Sequence, residues 1–218
     1  MASPVNDSPK RFQLIFWSLQ AILLLGLVGG TFVYIWQQTR ALRLPVLGTV
    51  PNFSLTERSG RPVTLADLHG KVWVADFVFT HCAGPCPLMS RHMASLQALL
   101  VPSHDVRLIS FSVDPERDTP QVLTEYARKF GADPERWLFL TGDKKIIYEL
   151  AQKGFTLVAG EIPPAERRPD EEAILHSTKF ALVDGNGRIR GYYDSETPDP
   201  LKKLLLDTEK LLQEKSGP

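Results

Sequence analysis

Val72-Trp73-Val74-Ala75-Asp76-Phe77-Val78-Phe79-Thr80-His81-Cys82-Ala83-Gly84-Pro85-Cys86-Pro87 is the stretch on which the reading of this chain turns. A nearly apolar, β-branched and aromatic run reads as a central strand covered on both faces. A turn follows that holds the only two cysteines among 218 residues. Leu88, Met89, Met93, Leu96, Leu99 and Leu100 then recur with helical spacing. Each proline disfavours the α region for the residue before it, so Gly84 and Cys86 are expected outside the helix. Pro87 suits its first position, with Cys86 at or beside the N-cap, where free N–H groups and the helix dipole favour thiolate.

Outward from this turn, strands and helices alternate. Val106–Val113 reads as a strand, and Thr119-Pro120 opens a helix to about Phe130, with Thr as N-cap and Pro first inside. Trp137–Leu140 reads as a strand, Lys144–Lys153 as a helix and Phe155–Val158 as a short strand. Residues 159–173 are rich in Pro, Glu and Arg and read as an exposed loop. Thr178–Val183 and Arg188–Tyr193 flank Asp184-Gly185-Asn186-Gly187 as a β-hairpin, and Asp199-Pro200 starts a last amphipathic helix. Upstream, Phe53–Thr56 and Pro62–Leu65 form a small β unit. The order predicts an α/β fold: a thioredoxin-like domain with a central, mostly parallel sheet, flanking helices, and a C-terminal hairpin and helix.

Phe12–Thr39 contains no charged residue. As a helix, Phe12–Trp36 would reach roughly 37 Å, enough to span a bilayer with some tilt. Trp17 at one end, with Tyr34 and Trp36 at the other, suits interfacial belts. The apolar run outlasts a signal peptide's core and lacks a small-x-small cleavage site, so it reads as an uncleaved anchor. Lys10 and Arg11 against Arg40 and Arg43 leave the positive-inside count tied; the short leading tail favours the N-terminus inside. Residues 1–11 thus read as a cytoplasmic tail, 12–36 as the transmembrane helix, 37–50 as a tether and 51–214 as one domain in the periplasm, no transit-peptide composition preceding the anchor. Beyond residue 43, 21 basic residues face 24 acidic ones and are interspersed with them, so nothing points to nucleic-acid binding.

The thiol pair has three readings. A structural disulfide over so short a loop constrains the unfolded chain little. A redox dithiol like that of thioredoxin has two intervening residues, where this turn has three. A soft-metal site needs a third ligand. His176, at the junction between the polar loop and the next strand, is the candidate; a thioredoxin-type topology puts that junction over the thiol turn. Two sulfurs and one nitrogen suit Cu(I), or Cu(II) with a further donor, and zinc accepts the same atoms. His81, beside Cys82, is placed to tune its acidity. His69, His92 and His104 read as surface residues, and Met89 and Met93 as core.

Three motifs carry a resemblance: Phe79-Thr80-His81-Cys82-x-x-x-Cys86-Pro87, then Ser112-Val113-Asp114-Pro115-Glu116-Arg117-Asp118-Thr119-Pro120, then His176-Ser177 with Leu182-Val183-Asp184. In this order, behind an amino-terminal anchor, they resemble the SCO/SenC family of membrane-anchored copper proteins that serve cytochrome c oxidase assembly. The resemblance implies copper held by Cys82, Cys86 and His176, with Asp114 beside the metal turn, and delivery to the oxidase's copper-centre subunit. A copper donor protein or a thiol reductase would be a further partner. The family often has Pro and an acidic residue straight after its first Cys; here Ala83-Gly84 stand there. On this reading the chain is a metallochaperone and not an enzyme. The rival is an extracytoplasmic thiol–disulfide oxidoreductase that reduces a metal-accepting partner's cysteines, which needs both thiols but no histidine.

Overall fold

The computed structural model describes residues 8–41, 43–100, 105–162, 174–197 and 199–216, without the side chains of 8–12, 34–41, 200, 215 and 216. His104 and residues 163–173 of the polar loop lie outside this set, as do the side chains of Tyr34 and Trp36. Two compact units emerge, Met1–Arg43 and Leu44–Pro218. The first contains helix α1, Ser8–Ala41, whose segment Gln13–Val33 is long and apolar enough to cross a membrane. Within that unit its apolar side chains are uncovered, Leu14 being 71% exposed and Leu23 75%.

The second unit is built on an eight-stranded sheet. Its strands in chain order are β1 (Gly48–Thr49), β2 (Ser54–Glu57), β3 (Pro62–Thr64), β4 (Val72–Val78), β5 (Val106–Ser112), β6 (Trp137–Thr141), β9 (Lys179–Val183) and β10 (Arg188–Asp194). A separate two-stranded ribbon pairs β7 (Ala159–Glu161) with β8 (Ile174–His176). Across the sheet the order is β1-β10-β9-β4-β5-β6-β2-β3. Only β4, β5 and β6 run parallel, joined through α2 (Cys86–Leu99) and α3 (Pro120–Lys129). The sheet is therefore mixed rather than mostly parallel. Short connections permit only antiparallel neighbours, and hairpins flank the parallel centre on both sides.

Strand β4 is buried along its whole length, as its composition predicts. On one of its faces Phe77 stacks on Phe111 at 5.1 Å between centroids, and Phe155 packs edge-on against Phe77 and Trp73. In α2 the buried stripe is Met89, Met93, Leu96 and Leu100, while Leu88 and Leu99 are exposed. Both methionines are core residues.

Three sequence-based expectations change. Phe155–Val158 is not a strand. Helix α4 (Lys144–Glu149) runs on into a wider π-type turn, Leu150–Gly154, and the backbone N–H groups of Phe155 and Leu157 donate to Leu150 and Ala151. With its hydrogen bonds spent locally, the segment cannot join a ladder, and pairing resumes only at Ala159. Residues 44–50 are not free tether. Gly48 and Thr49 pair with β10, and the buried Arg190 guanidinium donates to the carbonyls of Leu44 and Pro45 while bridging Asp184 and Glu214. His92 is not a solvated residue either: it is half-buried, its ring edge-on to Phe180 of β9. Burial lowers its pKa.

Phe155 joins the π-type turn to the aromatic cluster and is fully buried. Its replacement by Ala should cost about 3–5 kcal/mol of unfolding free energy, as large-to-small aromatic truncations in cores do. Denaturant unfolding followed by tryptophan fluorescence measures this; a loss below about 1 kcal/mol would contradict the packing described.

Candidate metal centre

Strand β4 ends at Val78, and Phe79–Pro85 turns the chain into α2. Pro85 is the N-cap and Cys86 the first helical residue, so Cys86 is inside the helix and not before it. Pro87, at the second position, has no N–H to leave unsatisfied. Cys86 is fully buried and Cys82 6% exposed. Both are free thiols.

His176 arrives from the other side as the last residue of β8, held in register opposite Ala159. The ribbon that carries it is fastened to the body: Gln152 donates to the Ala159 carbonyl, and Lys144 of α4 bridges Glu161 of β7 and Glu116. Nε2 of His176 lies 3.3 Å from the Cys86 sulfur and 3.8 Å from that of Cys82. Its Nδ1 lies 3.2 Å from the Ser177 carbonyl, which can only accept, so Nδ1 carries a proton and Nε2 is the nitrogen left to coordinate a metal. Phe79 packs edge-on against the ring. The three ligand atoms lie within 4.8 Å of one another. Metal–sulfur and metal–nitrogen bonds of roughly 2.3 and 2.0 Å span about the same distance across one ion. The triangle needs little contraction to close on a metal.

Electrostatics make the thiols unequal. The Cys82 pKa is lowered, above all because Cys86 donates its S–H to that sulfur. The Cys86 pKa is raised by the same hydrogen bond and by burial. The expectation that the helix N-terminus would favour thiolate at Cys86 is thus reversed. Donating to a neighbouring sulfur and leaving water outweigh the helix dipole there.

Asp114 is buried, but its contacts are an ion pair with Arg117 at 2.7 Å and a backbone bond from its N–H to Ser112 Oγ. Among the described residues no hydrogen bond or ion pair joins it to Cys82, Cys86 or His176. His81 is exposed and hydrogen-bonded to Thr80, outside the cluster of three.

Two acids were missed in the sequence. Asp118, fully buried, accepts from the Thr80 N–H, the Thr80 hydroxyl and the Ser112 hydroxyl, tying the metal turn to the end of β5. An Asp between Arg and Thr in a polar turn carries no visible sign of that role. Asp76 did carry a sign, an acid in the middle of an apolar strand. It is fully buried, neither carboxyl oxygen has a partner at good hydrogen-bond geometry, and burial pushes its pKa up to about 7, offset in part by the Ser110 hydroxyl paired across from it and by the His176 ring.

Comparison with known proteins now bears on this geometry. The SCO1/SenC family model matches residues 46–213. The chain belongs to the SCO1/SenC family. It is 35% identical over 168 residues to the SCO1 protein homolog of Bacillus subtilis, covering 76% of this chain and 83% of that one. The structure of BsSco, described as a member of the Sco family of cytochrome c oxidase assembly proteins, shares 34% identity and a TM-score of 0.66, over 78% of this chain and 97% of that one. ScoI of Bradyrhizobium japonicum, solved with copper bound, shares 26% identity and a TM-score of 0.62, over 75% and 99%. The thioredoxin-like fold expected from the sequence is the fold of this SCO1/SenC protein.

Asp76 sets a pH dependence. Its folded pKa is about 7 against an ordinary 3.8, so the unfolded chain releases this proton first as pH rises. Its contribution to stability is complete below about pH 4 and is lost as pH climbs through 7. Asp76→Asn should therefore gain Tm over the native chain at pH 8 but not at pH 4, by on the order of 1.4 kcal/mol per unit of pKa difference at most. Equal Tm differences at both pH values, measured by thermal unfolding, would refute it.

Proposed function

We propose that this chain is a membrane-anchored copper metallochaperone that binds copper through Cys82, Cys86 and His176 and delivers it to the copper centre of cytochrome c oxidase. The observation that carries the reading is the convergence of His176 Nε2, with Nδ1 turned to the Ser177 carbonyl, on two free thiols. Two thiolates and an imidazole form a soft donor set suited to Cu(I), able to hold Cu(II) with one more donor. The copper-bound relative and the oxidase-assembly role of the family support cargo and destination. In this reading residues 1–11 are a cytoplasmic tail, 12–36 the membrane anchor, and the domain from Leu44 works in the periplasm. Tethering raises its effective concentration near a membrane-bound acceptor.

What the residues do follows from their placement. Both sulfurs face the ion from the turn, and Cys86 gives up its proton as the ion replaces the S–H···S bond. His176, held on a ribbon rather than in the main sheet, closes the third side. A dithiol reductase is the competing use of the same sulfurs, and it has no need of the imidazole.

His176→Ala should weaken copper binding by on the order of 100-fold, as ligand-shell losses in metal sites do, and abolish the native thiolate–copper absorption. Anaerobic titration of the reduced protein measures both. Unchanged affinity and spectrum would reject the three-ligand site. In cells, oxidase assembly that survives His176→Ala but fails with Cys82→Ser would favour the reductase reading.

A further inference from the structure

Thr80 stands between the end of β4 and the thiol turn, and its hydrogen bonds settle the state of its neighbour. Its hydroxyl donates to Asp118 Oδ1 at 2.6 Å, and its backbone N–H reaches the same carboxylate at 3.1 Å. Ser112 Oγ donates to the other oxygen, Oδ2, at 2.6 Å. A hydroxyl has one proton to give. With that proton committed to Asp118, the 3.1 Å contact between Thr80 Oγ1 and His81 Nδ1 must run from the ring N–H to the hydroxyl oxygen. Nδ1 is thereby engaged, which leaves Nε2 as the nitrogen available to a metal. His81 is exposed, and it adjoins Cys82 in a turn, where the face alternation of a strand does not apply.

An imidazole with Nδ1–H anchored on an oxygen that is itself oriented by a carboxylate is the arrangement that prepares histidine as a metal ligand. His176 has the inner version, Nδ1 bonded to the Ser177 carbonyl and Nε2 turned to the sulfurs. His81 has the outer version. Among the described residues it does not belong to the cluster formed by Cys82, Cys86 and His176. His69 is exposed on the turn before β4, and His92 is packed on Phe180. A copper ion held by two nearly inaccessible sulfurs offers an incoming ligand little room, and the exposed nitrogen next in the chain to Cys82 is that of His81.

The geometry points to His81 as an outer copper ligand, pinned through Thr80 by Asp118, that carries the ion between the buried site and an acceptor's donor atoms. This rests on the copper reading above. In the exchange a coordinate bond from His81 Nε2 forms as the bond to His176 Nε2 breaks. Both donors are neutral imidazoles, so the ion keeps its oxidation state and no proton moves in this step. Cys86 is released next, its thiolate taking up a proton from solvent as the copper–sulfur bond breaks, and the intermediate on Cys82 and His81 lies where an acceptor can reach it.

The test uses the full-length chain in detergent, reduced and loaded with Cu(I). Transfer to the chelator bathocuproine disulfonate is followed by stopped flow, and affinity is measured separately by competition. His81→Gln should leave affinity within about twofold of native while slowing transfer about tenfold, the low end of what lost metal–ligand contacts cost. Thr80→Val should slow transfer too, and Thr80→Ser, which keeps the hydroxyl, should restore the native rate. A native transfer rate in His81→Gln would overturn the proposal. So would a loss of affinity as large as that of His176→Ala, since His81 would then be a resident ligand. A slow Thr80→Val beside an unaffected His81→Gln would show that the Asp118 clamp only holds the turn, and would also overturn it. The His176→Ala titration decides the parent reading independently.

Discussion

The parallel ladder between β4 and β5 is the constraint on which the rest depends. Val72 pairs with Val106 and each following residue keeps register up to Val78 opposite Ser112. Both strands are buried almost throughout, so a slip by one residue would turn every core side chain to the wrong face. Because they run in the same direction and stop together, their following turns emerge side by side at one edge. One turn carries Thr80, His81 and Cys82; the other carries Asp114 and Asp118. Asp118 then has donors from both within reach, and the clamp it forms fixes where Cys82 sits relative to the start of α2.

Burial is what gives the site its chemical character. Two thiols at a water-exposed turn would be near equals. Here Cys86 is sealed under the helix it begins, keeps its proton, and lends it to Cys82. Asp76, on the face of β4 opposite Phe77, adds a carboxyl that burial keeps largely neutral. A group that would cost the fold several kcal/mol if ionised alone is held neutral over the acid side of the pH range instead. The ribbon β7–β8 completes the site from outside the main sheet, fastened by Gln152 and Lys144. His176 therefore belongs to an element separate from the core ladder.

How much of this was legible depends on where the determining interactions are. The central strand, the Thr119-Pro120 helix start and the Asp184–Gly187 hairpin turn are written in local pattern and appear as read; of the helical stripe, Met89, Met93, Leu96 and Leu100 are buried while Leu88 and Leu99 face outward. Phe155–Val158 misled because a buried phenylalanine with apolar neighbours looks the same in a strand as in a turn packed on an aromatic cluster. Residues 44–50 looked like tether because their partner, Arg190, is some 140 positions away and contributes through backbone carbonyls that carry no sequence signal. The helix dipole argument for Cys86 failed because it weighed one local field and left out the neighbouring sulfur and the loss of water. Asp118 was invisible for the opposite reason, a residue ordinary in a turn and distinctive only once Thr80 lies against it.

By itself the sequence determined which residue types could hold a soft ion, the strand-to-helix turn that carries two of them, and an apolar segment long enough for a bilayer. These follow from spacing, periodicity and proline geometry, which act over a few residues. Tertiary structure alone decided that the third donor arrives with Nε2 facing the sulfurs, that burial and a shared hydrogen bond make the two thiols unequal, and that a remote carboxylate holds the turn. Those outcomes depend on distances between segments some 40 to 90 residues apart and on the exclusion of water between them, and no local pattern encodes either.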